Sequence, residues 1–356
     1  MKAFAHWDDN LTYAVFVLLP LLSGGLLVRL VRSWGRAGRP KRGPVMVWAN
    51  LVFFIFLTSL VLAGAETWYR FGVDTTDSFG RTRINMRWFE RYWKLNQMEY
   101  RDSVTMYPLM RSPGKRRITF LGDSFTAGHG VTDVEDRFAN RIRNSGGDEV
   151  HVWADLGYDT GHHLELVQSL IAQGYEFDVV VLVYNLNDIG DLSPEWKAMT
   201  EQIRSAPPPP FLIRHSFFLD TCYYRLKARL NPDISNYCQS MLQCYEGRLW
   251  EEQQQRLKQL RNLVESHGGR FLVVTFPFLQ HLGPGYEFRA IHAKLGKFWR
   301  ELRVPHLDLL DLYEAHRNET LTVNAHDAHP NVRAHALAAE EIKDFVQKNP
   351  GTGSRP

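Results

Sequence analysis

The sequence predicts an α/β domain on a mostly parallel, covered sheet, preceded by two transmembrane helices. Two observations carry this expectation. From about residue 116 onward, short and strongly apolar runs alternate with longer stretches of helical period. That is the pattern of strands buried on both faces by crossover helices. Upstream, no Asp or Glu occurs between Asn10 and Ala65, and two long apolar runs lie inside that interval. At 356 residues the chain accommodates one sizeable soluble domain plus additional elements. A net charge of +3 is too small to point to a nucleic-acid partner.

The first apolar run extends from Thr12 to about Leu30 and contains Pro20 and Gly24-Gly25, residue types that membrane helices tolerate. The second, Val45 to Ala65, has no charge at all and meets the roughly 20 residues needed to cross the hydrocarbon layer. Between them Arg29, Arg32, Arg36, Arg39, Lys41 and Arg42 form a basic block. The positive-inside rule keeps that loop cytoplasmic and turns both ends of the hairpin outward. Residues 1–65 thus read as a two-helix anchor in a bacterial cytoplasmic (inner) membrane, contacting lipid through residues 12–30 and 45–65. The rest of the chain is expected to be periplasmic or otherwise extracytoplasmic. A helical hairpin buried in a soluble core is the competing reading, disfavoured by so long an acid-free stretch. Ala63-Gly64-Ala65 looks like a signal-peptidase site but lies far from the start. Residues 66–115, rich in Arg, Tyr and Trp, read as a membrane-proximal segment. Its Asn85–Trp93 stretch either packs across the globular domain or lies at the membrane surface.

The globular domain is expected over 116–347. Arg117–Leu121 reads as a strand, 136–144 as a short helix and Glu149–Trp153 as a second strand. A helix over 162–173 follows, with Leu164, Leu166, Val167, Leu170 and Ile171 on its apolar side. Val179–Tyr184 and Arg270–Phe276 are very apolar strands on either side of a long helix at 248–267. His306–Leu310 reads as a short strand and 334–346 as the terminal helix. The interval 190–247 departs from this rhythm. Its proline run at 207–210 and the aromatics Phe211, Phe217, Phe218, Tyr223 and Tyr224 suggest a cap or insertion over the sheet's carboxyl edge. Residues 348–356 read as a disordered tail. Cys222, Cys238 and Cys244 either supply one disulfide, Cys238 with Cys244, or stand as three separate thiols, and their spacing has no metal or redox pattern.

The chemistry gathers at predicted strand ends. Ser124, in Gly122-Asp123-Ser124-Phe125, follows the first strand, where a small turn can expose a nucleophilic hydroxyl. Such a serine needs a base. Among 14 histidines, His329 stands out because it follows the last strand and precedes the terminal helix, which brings it to the same sheet edge. Asp327, two residues earlier, is near enough to orient its imidazole. Asn187 ends the Val179 strand and offers an amide to a developing oxyanion. Gly157 follows the second strand and lets backbone approach a substrate. His162-His163 reads as a polar loop or helix start rather than a metal site. No dinucleotide or phosphate-binding fingerprint occurs, so no cofactor and no metal are expected. The sequons at Asn10 and Asn318 read as incidental.

In this order the four blocks resemble the SGNH/GDSL hydrolase superfamily. The first block has Phe125 where many members have Leu. Gly157 best matches the second-block glycine, with Gly161 as the alternative, Asn187 the third-block asparagine, and His329 the last-block histidine. Many members place the acid three residues before this histidine. Here that position is His326, and Asp327 is the chosen acid. A Ser-His dyad oriented by a carbonyl is the alternative. The resemblance implies a three-layer flavodoxin-like domain. It also implies acyl chemistry through a serine ester, with the Ser124 and Gly157 N–H groups and the Asn187 amide as oxyanion hole. The expected partner is an ester-bearing glycan or a lipid.

Overall fold

The computed structural model describes residues 7–37, 43–78, 81–232 and 236–351. Arg39, Lys41 and Arg42 of the expected basic loop, and residues 352–356 of the expected tail, lie outside the described residues. The chain forms two compact units. Among the described residues, one lies within 1–75, 80–90 and 207–230, and the other within 76–79, 91–206 and 231–356.

The second unit is built on five parallel strands in the order β2-β1-β3-β4-β5. They are β1 (Arg117–Gly122), β2 (Glu149–Ala154), β3 (Val179–Asn185), β4 (Arg270–Phe276) and β5 (His306–Asp308). This is the flavodoxin-like order, in which ligands meet the carboxyl ends of the strands where the winding reverses, here at β1 and β3. Residues alternate strictly between two cores. Leu121, Trp153, Leu182 and Val273 face the helices Thr160–Ala172, Gly247–Ser266 and Arg289–Glu301. Phe120, Val152, Val181 and Val274 face Phe138–Asn144, Leu310–Ala315 and Val332–Lys348. The result is the expected three-layer α/β fold.

Every strand read from the sequence is present. β5 is shorter than expected because the Asp308 carboxylate accepts the Leu310 N–H at 3.0 Å and turns the chain into a helix. Elements that were not anticipated include the helices Arg289–Glu301 and Leu310–Ala315, the short helices within 190–247, and a hairpin of β6 (Thr322–Asn324) with β7 (Asp327–Pro330).

The first unit centres on the helices Trp7–Ala37 and Pro44–Phe71. Each contains a 26-residue span of mean hydropathy 2.2 and is long and apolar enough to cross a membrane. Leu21, Leu22, Phe54 and Val61 are among their exposed side chains. Gly24 lets them approach, since a Cβ there would lie 2.9 Å from the Phe56 ring. The second helix runs past the expected end at residue 65 because Glu66 is fully satisfied where it is buried. Arg70 pairs with it at 2.9 Å, Ser216 Oγ donates to it at 2.6 Å, and the N–H groups of Phe217 and Phe218 donate at 3.2 and 3.0 Å. Glu66 thereby caps the helix Phe217–Leu230. His215 Nδ1 lies 2.8 Å from Asp9, which also pairs with Arg83. These polar contacts account for the presence of 207–230 and 80–90 in this unit. The 190–247 region, expected as one cap or insertion, is therefore divided. The helices Pro194–Ser205 and Tyr237–Cys244 belong to the second unit.

The three cysteines are free thiols. Cys238 and Cys244 share one helix, where a six-residue separation gives an axial rise of roughly 9 Å, beyond disulfide reach.

Candidate active site

β1 is flanked by β2 and β3, so the loops leaving these three strands meet at one edge. The Ser124 loop is shaped by close packing. At Gly122 a Cβ would lie 2.1 Å from Thr126 Oγ1, so only glycine lets the short helix Ser124–Ala127 fold back on the strand. Asp123 caps that helix by accepting the Phe125 N–H at 2.9 Å, and its other oxygen accepts from Asn185 Nδ2 at 3.2 Å. Gly128 closes the helix in the left-handed region at φ 78°. Buried Arg101 donates to the carbonyls of Ala127, Gly128 and Val131, fixing the loop that follows. Burial lowers this guanidinium's pKa to about 9.

The histidine arrives on the β6–β7 hairpin, between β5 and the terminal helix. Gly130 (φ 82°) admits the hairpin, since a Cβ there would lie 2.3 Å from Val323 Cγ2. His329 Nε2 lies 2.9 Å from Ser124 Oγ, and His329 Nδ1 lies 2.5 Å from Asp327 Oδ1. Ser124, His329 and Asp327 thus stand in one hydrogen-bonded line. With Nδ1–H donating to the carboxylate, Nε2 presents its lone pair to the serine hydroxyl.

Asp327 is fully buried. Burial alone raises its pKa, but the charge and hydrogen bonds of His329, with His129 and the Thr76 hydroxyl, outweigh this and hold it well below the usual carboxylate range. Thr76 Oγ1 donates to Asp327 Oδ2. The same segment clamps the hairpin: Asn324 Nδ2 donates to the Thr76 carbonyl, and the Ser78 hydroxyl accepts the Ala328 N–H, both at 2.9 Å.

Gly157 and Asn187 lie just past the carboxyl ends of β2 and β3. Gly157 is left-handed (φ 71°) with open space where a Cβ would be, whereas Gly161 lies inside a helix with Arg256 Nη2 2.3 Å from its would-be Cβ. Asn187 is held by its backbone on both sides. Its carbonyl accepts the Gly190 N–H at 2.8 Å, and the preceding Leu186 carbonyl accepts Tyr245 Oη at 2.8 Å. His162 and His163 open the helix Thr160–Ala172, which Asp159 caps, so they fall at a helix start as expected.

His129 was not anticipated. Its Nδ1 is 3.2 Å from His329 Nε2, and its Nε2 is 4.0 Å from Asp327 Oδ2. Burial, reinforced by His329, lowers its pKa to about 3, so the ring is neutral near pH 7. His129, His329 and Asp327 also present possible metal ligands to one another. The only sequence signal for His129 is its position between Gly128 and Gly130. Thr76 and Arg101 carry no local signal, because their partners are distant in sequence. Asp123 and Asp188 are both buried at this edge. Burial pushes Asp123 up to about 6, and Asp188 is raised well above its usual value by burial and by Asp123.

A serine, a histidine and a buried carboxylate thus stand in one line at the edge of a flavodoxin-like sheet, the arrangement that serine hydrolases use. The chain belongs to the GDSL-like lipase/acylhydrolase family, whose model matches residues 120–337. It is an SGNH/GDSL-type ester hydrolase.

Among solved structures it is similar to a member of the lipolytic protein G-D-S-L family from Veillonella parvula DSM 2008. The identity is 13%, the TM-score 0.40, and the match covers 66% of this chain and 99% of that one. It is also similar to the psychrotrophic esterase EstA from Pseudoalteromonas sp., at 15% identity and TM-score 0.39, covering 66% of this chain and 98% of that one. A third is a two-domain esterase active on acetylated mannans, at 15% identity and TM-score 0.35, covering 66% of this chain and 49% of that one. No curated protein matches the chain.

Proposed function

We propose that this protein is a membrane-anchored serine esterase acting outside the cytoplasm, on O-acyl, chiefly acetyl, groups of an envelope or exported glycan. The observation that carries the catalytic part is the continuous line from Ser124 Oγ through His329 to Asp327. His329 Nε2 takes the Ser124 proton as the oxygen attacks the ester carbonyl. Asp327 holds the Nδ1 tautomer and balances the imidazolium that forms. The Ser124 N–H, the Gly157 N–H and the Asn187 amide receive the oxyanion. Protonated His329 then gives its proton to the departing alkoxide, leaving an acyl ester on Ser124. A water deprotonated by His329 attacks that ester and releases the carboxylate and free serine.

Two features support Gly157 over Gly161. Its left-handed backbone sits in open space at the carboxyl edge, and Gly161 is occupied in helix packing. Membrane attachment rests on the two apolar helices and their exposed side chains, which water does not favour. The outward orientation rests on the basic block between them. The glycan reading rests on the outward domain and on the aromatic side chains beside Gly157, where Tyr158 stacks on His162 with centroids 5.2 Å apart. Half-buried Tyr158 packs edge-on to Tyr100, with centroids 6.5 Å apart.

The test is product release by the full-length protein in detergent, offered acetylated glycans and lipid esters in parallel. Acetate release from glycans, abolished in Ser124→Ala, supports the reading. Fatty-acid release assigns a lipid esterase or phospholipase instead. Transfer of the acyl group to an added glycan acceptor assigns an O-acetyltransferase. A folded protein with no turnover on any ester identifies a degenerate glycan-binding or assembly protein. Reporter fusions test orientation, and a cytoplasmic C-terminal reporter overturns it.

A further inference from the structure

We propose that Cys238, His281 and Glu287 form a binding site for a borderline-soft divalent transition metal of the zinc class. They offer one cysteine sulfur, one imidazole and one carboxylate, whose ligand atoms all lie within 4.8 Å of one another, and the thiol gives up its proton on binding the ion. These are the three donor types that zinc takes, and three protein ligands leave its fourth tetrahedral position open. A thiolate in the set selects against magnesium and calcium, which take oxygen.

The ligands come from separate places in the second unit. Cys238 is on the helix Tyr237–Cys244, His281 ends the turn Leu279–His281, and Glu287 follows in the next loop. His281 and Glu287 are exposed and Cys238 is partly so, which leaves an ion a path from solvent. Beneath them the backbone rests on a buried aromatic base. Phe278 packs on Phe288 with centroids 4.9 Å apart, and Tyr286 Oη accepts the Phe278 N–H at 3.1 Å. Tyr237, beside the cysteine, packs on the same Phe278 at 5.8 Å. Buried contacts therefore bring the three segments together without help from the ligands, which is the preorganisation a metal site requires.

Cys238 Sγ is 3.1 Å from His281 Nε2. Zn–S near 2.3 Å and Zn–N near 2.0–2.1 Å in tetrahedral geometry place the two ligand atoms roughly 3.6 Å apart. The pair has to open by about 0.5 Å, which a small rotation of the exposed His281 side chain supplies. A bound ion ties the Tyr237–Cys244 helix to the 279–287 loop.

The experiment titrates Co²⁺ alone into the full-length protein in detergent. A sulfur-to-cobalt charge-transfer band is expected, displaced by Zn²⁺. It should be lost in Cys238→Ser, kept in Cys222→Ser, and need at least ~10-fold more Co²⁺ in His281→Ala and Glu287→Gln, since changes only around the ligands already shift affinity by that much. Near-ultraviolet circular dichroism checks folding. Exposed His281→Ala carries the test alone should Cys238→Ser misfold. No thiolate band in the wild-type protein overturns the proposal, as does a band that survives Cys238→Ser or is unaffected by His281→Ala. Cobalt held by His129, Asp327 and His329 gives no thiolate band, so a cobalt spectrum without that band overturns the proposal even when cobalt binds.

Discussion

Thr76→Val removes one hydroxyl and leaves the shape nearly unchanged, at a position about 250 residues from the carboxylate it serves. Thr76 Oγ1 donates to Asp327 Oδ2, while the other oxygen is taken by His329 Nδ1 and by the His329 N–H. A hydrogen bond to a buried charged group contributes about 1.5–3 kcal/mol. Asp327 stays ionised in the variant, because its pKa starts well below the usual range. The loss therefore acts on the direction of the carboxylate, which matters most once His329 carries a positive charge in the transition state. Expressed fully there, about 1.5–3 kcal/mol lowers kcat by roughly 10- to 150-fold, with little change in KM. The assay is steady-state hydrolysis of a chromogenic acetate ester by full-length protein, comparing wild type, Thr76→Val and Thr76→Ser. Thr76→Ser keeps the donor and should keep most of the activity. A folded Thr76→Val protein with kcat close to wild type would refute the reasoning.

Three further predictions follow from the same geometry. Asn187→Ala should lower kcat by about 10²–10³ with KM little changed, the scale of one lost oxyanion donor, and an unchanged kcat would remove Asn187 from the hole. Gly130→Ala should lower both melting temperature and kcat, because its Cβ would lie 2.3 Å from Val323 Cγ2 on the hairpin that carries His329. Gly174→Ala has the same left-handed backbone with nothing within 4 Å, so it should show only about 1–2 kcal/mol of backbone strain and full kcat. Finally, His129, His163 and His335 are buried and each lowered by burial to about 3. Between that value and the ordinary pKa near 6.5 the unfolded chain binds more protons than the folded one. Stability therefore rises with pH across this window and is lost as pH falls, by about 2 kcal/mol per histidine at pH 5. The raised Asp123 and Asp188 carboxyls act in the opposite sense, so the check is a variant: His163→Gln should lose part of the gain in melting temperature between about pH 5 and pH 8, and a gain equal to that of wild type would contradict this.

The sheet and the line of reacting groups were legible because both are written locally. Apolar runs such as Val179–Tyr184 are buried on both faces, Ser124 and Asn187 each sit just past a recognisable strand, and His329 falls between the last such strand and the terminal helix. Asp327 was also within reach, being two residues from His329, although the hairpin that bends it into place was not. What escaped the sequence depends on distant partners. Thr76 reaches Asp327, Arg101 reaches the carbonyls after Ser124, and Tyr245 reaches Leu186, with nothing in their own neighbourhoods to mark them. The division of 190–247 was hidden for the same reason. Its cause is Glu66, an acid just past an apolar run, which satisfies Ser216 and caps a helix some 150 residues away.

The central claim is that Ser124 is the nucleophile of this hydrolase. Its most direct test is mass-spectrometric mapping of the adduct formed when the folded full-length protein reacts with a fluorophosphonate. The expected result is one adduct, on the peptide containing Ser124, absent in Ser124→Ala and slowed when His329 is replaced. Labelling that persists in Ser124→Ala, or no labelling of a folded wild-type protein, would contradict it.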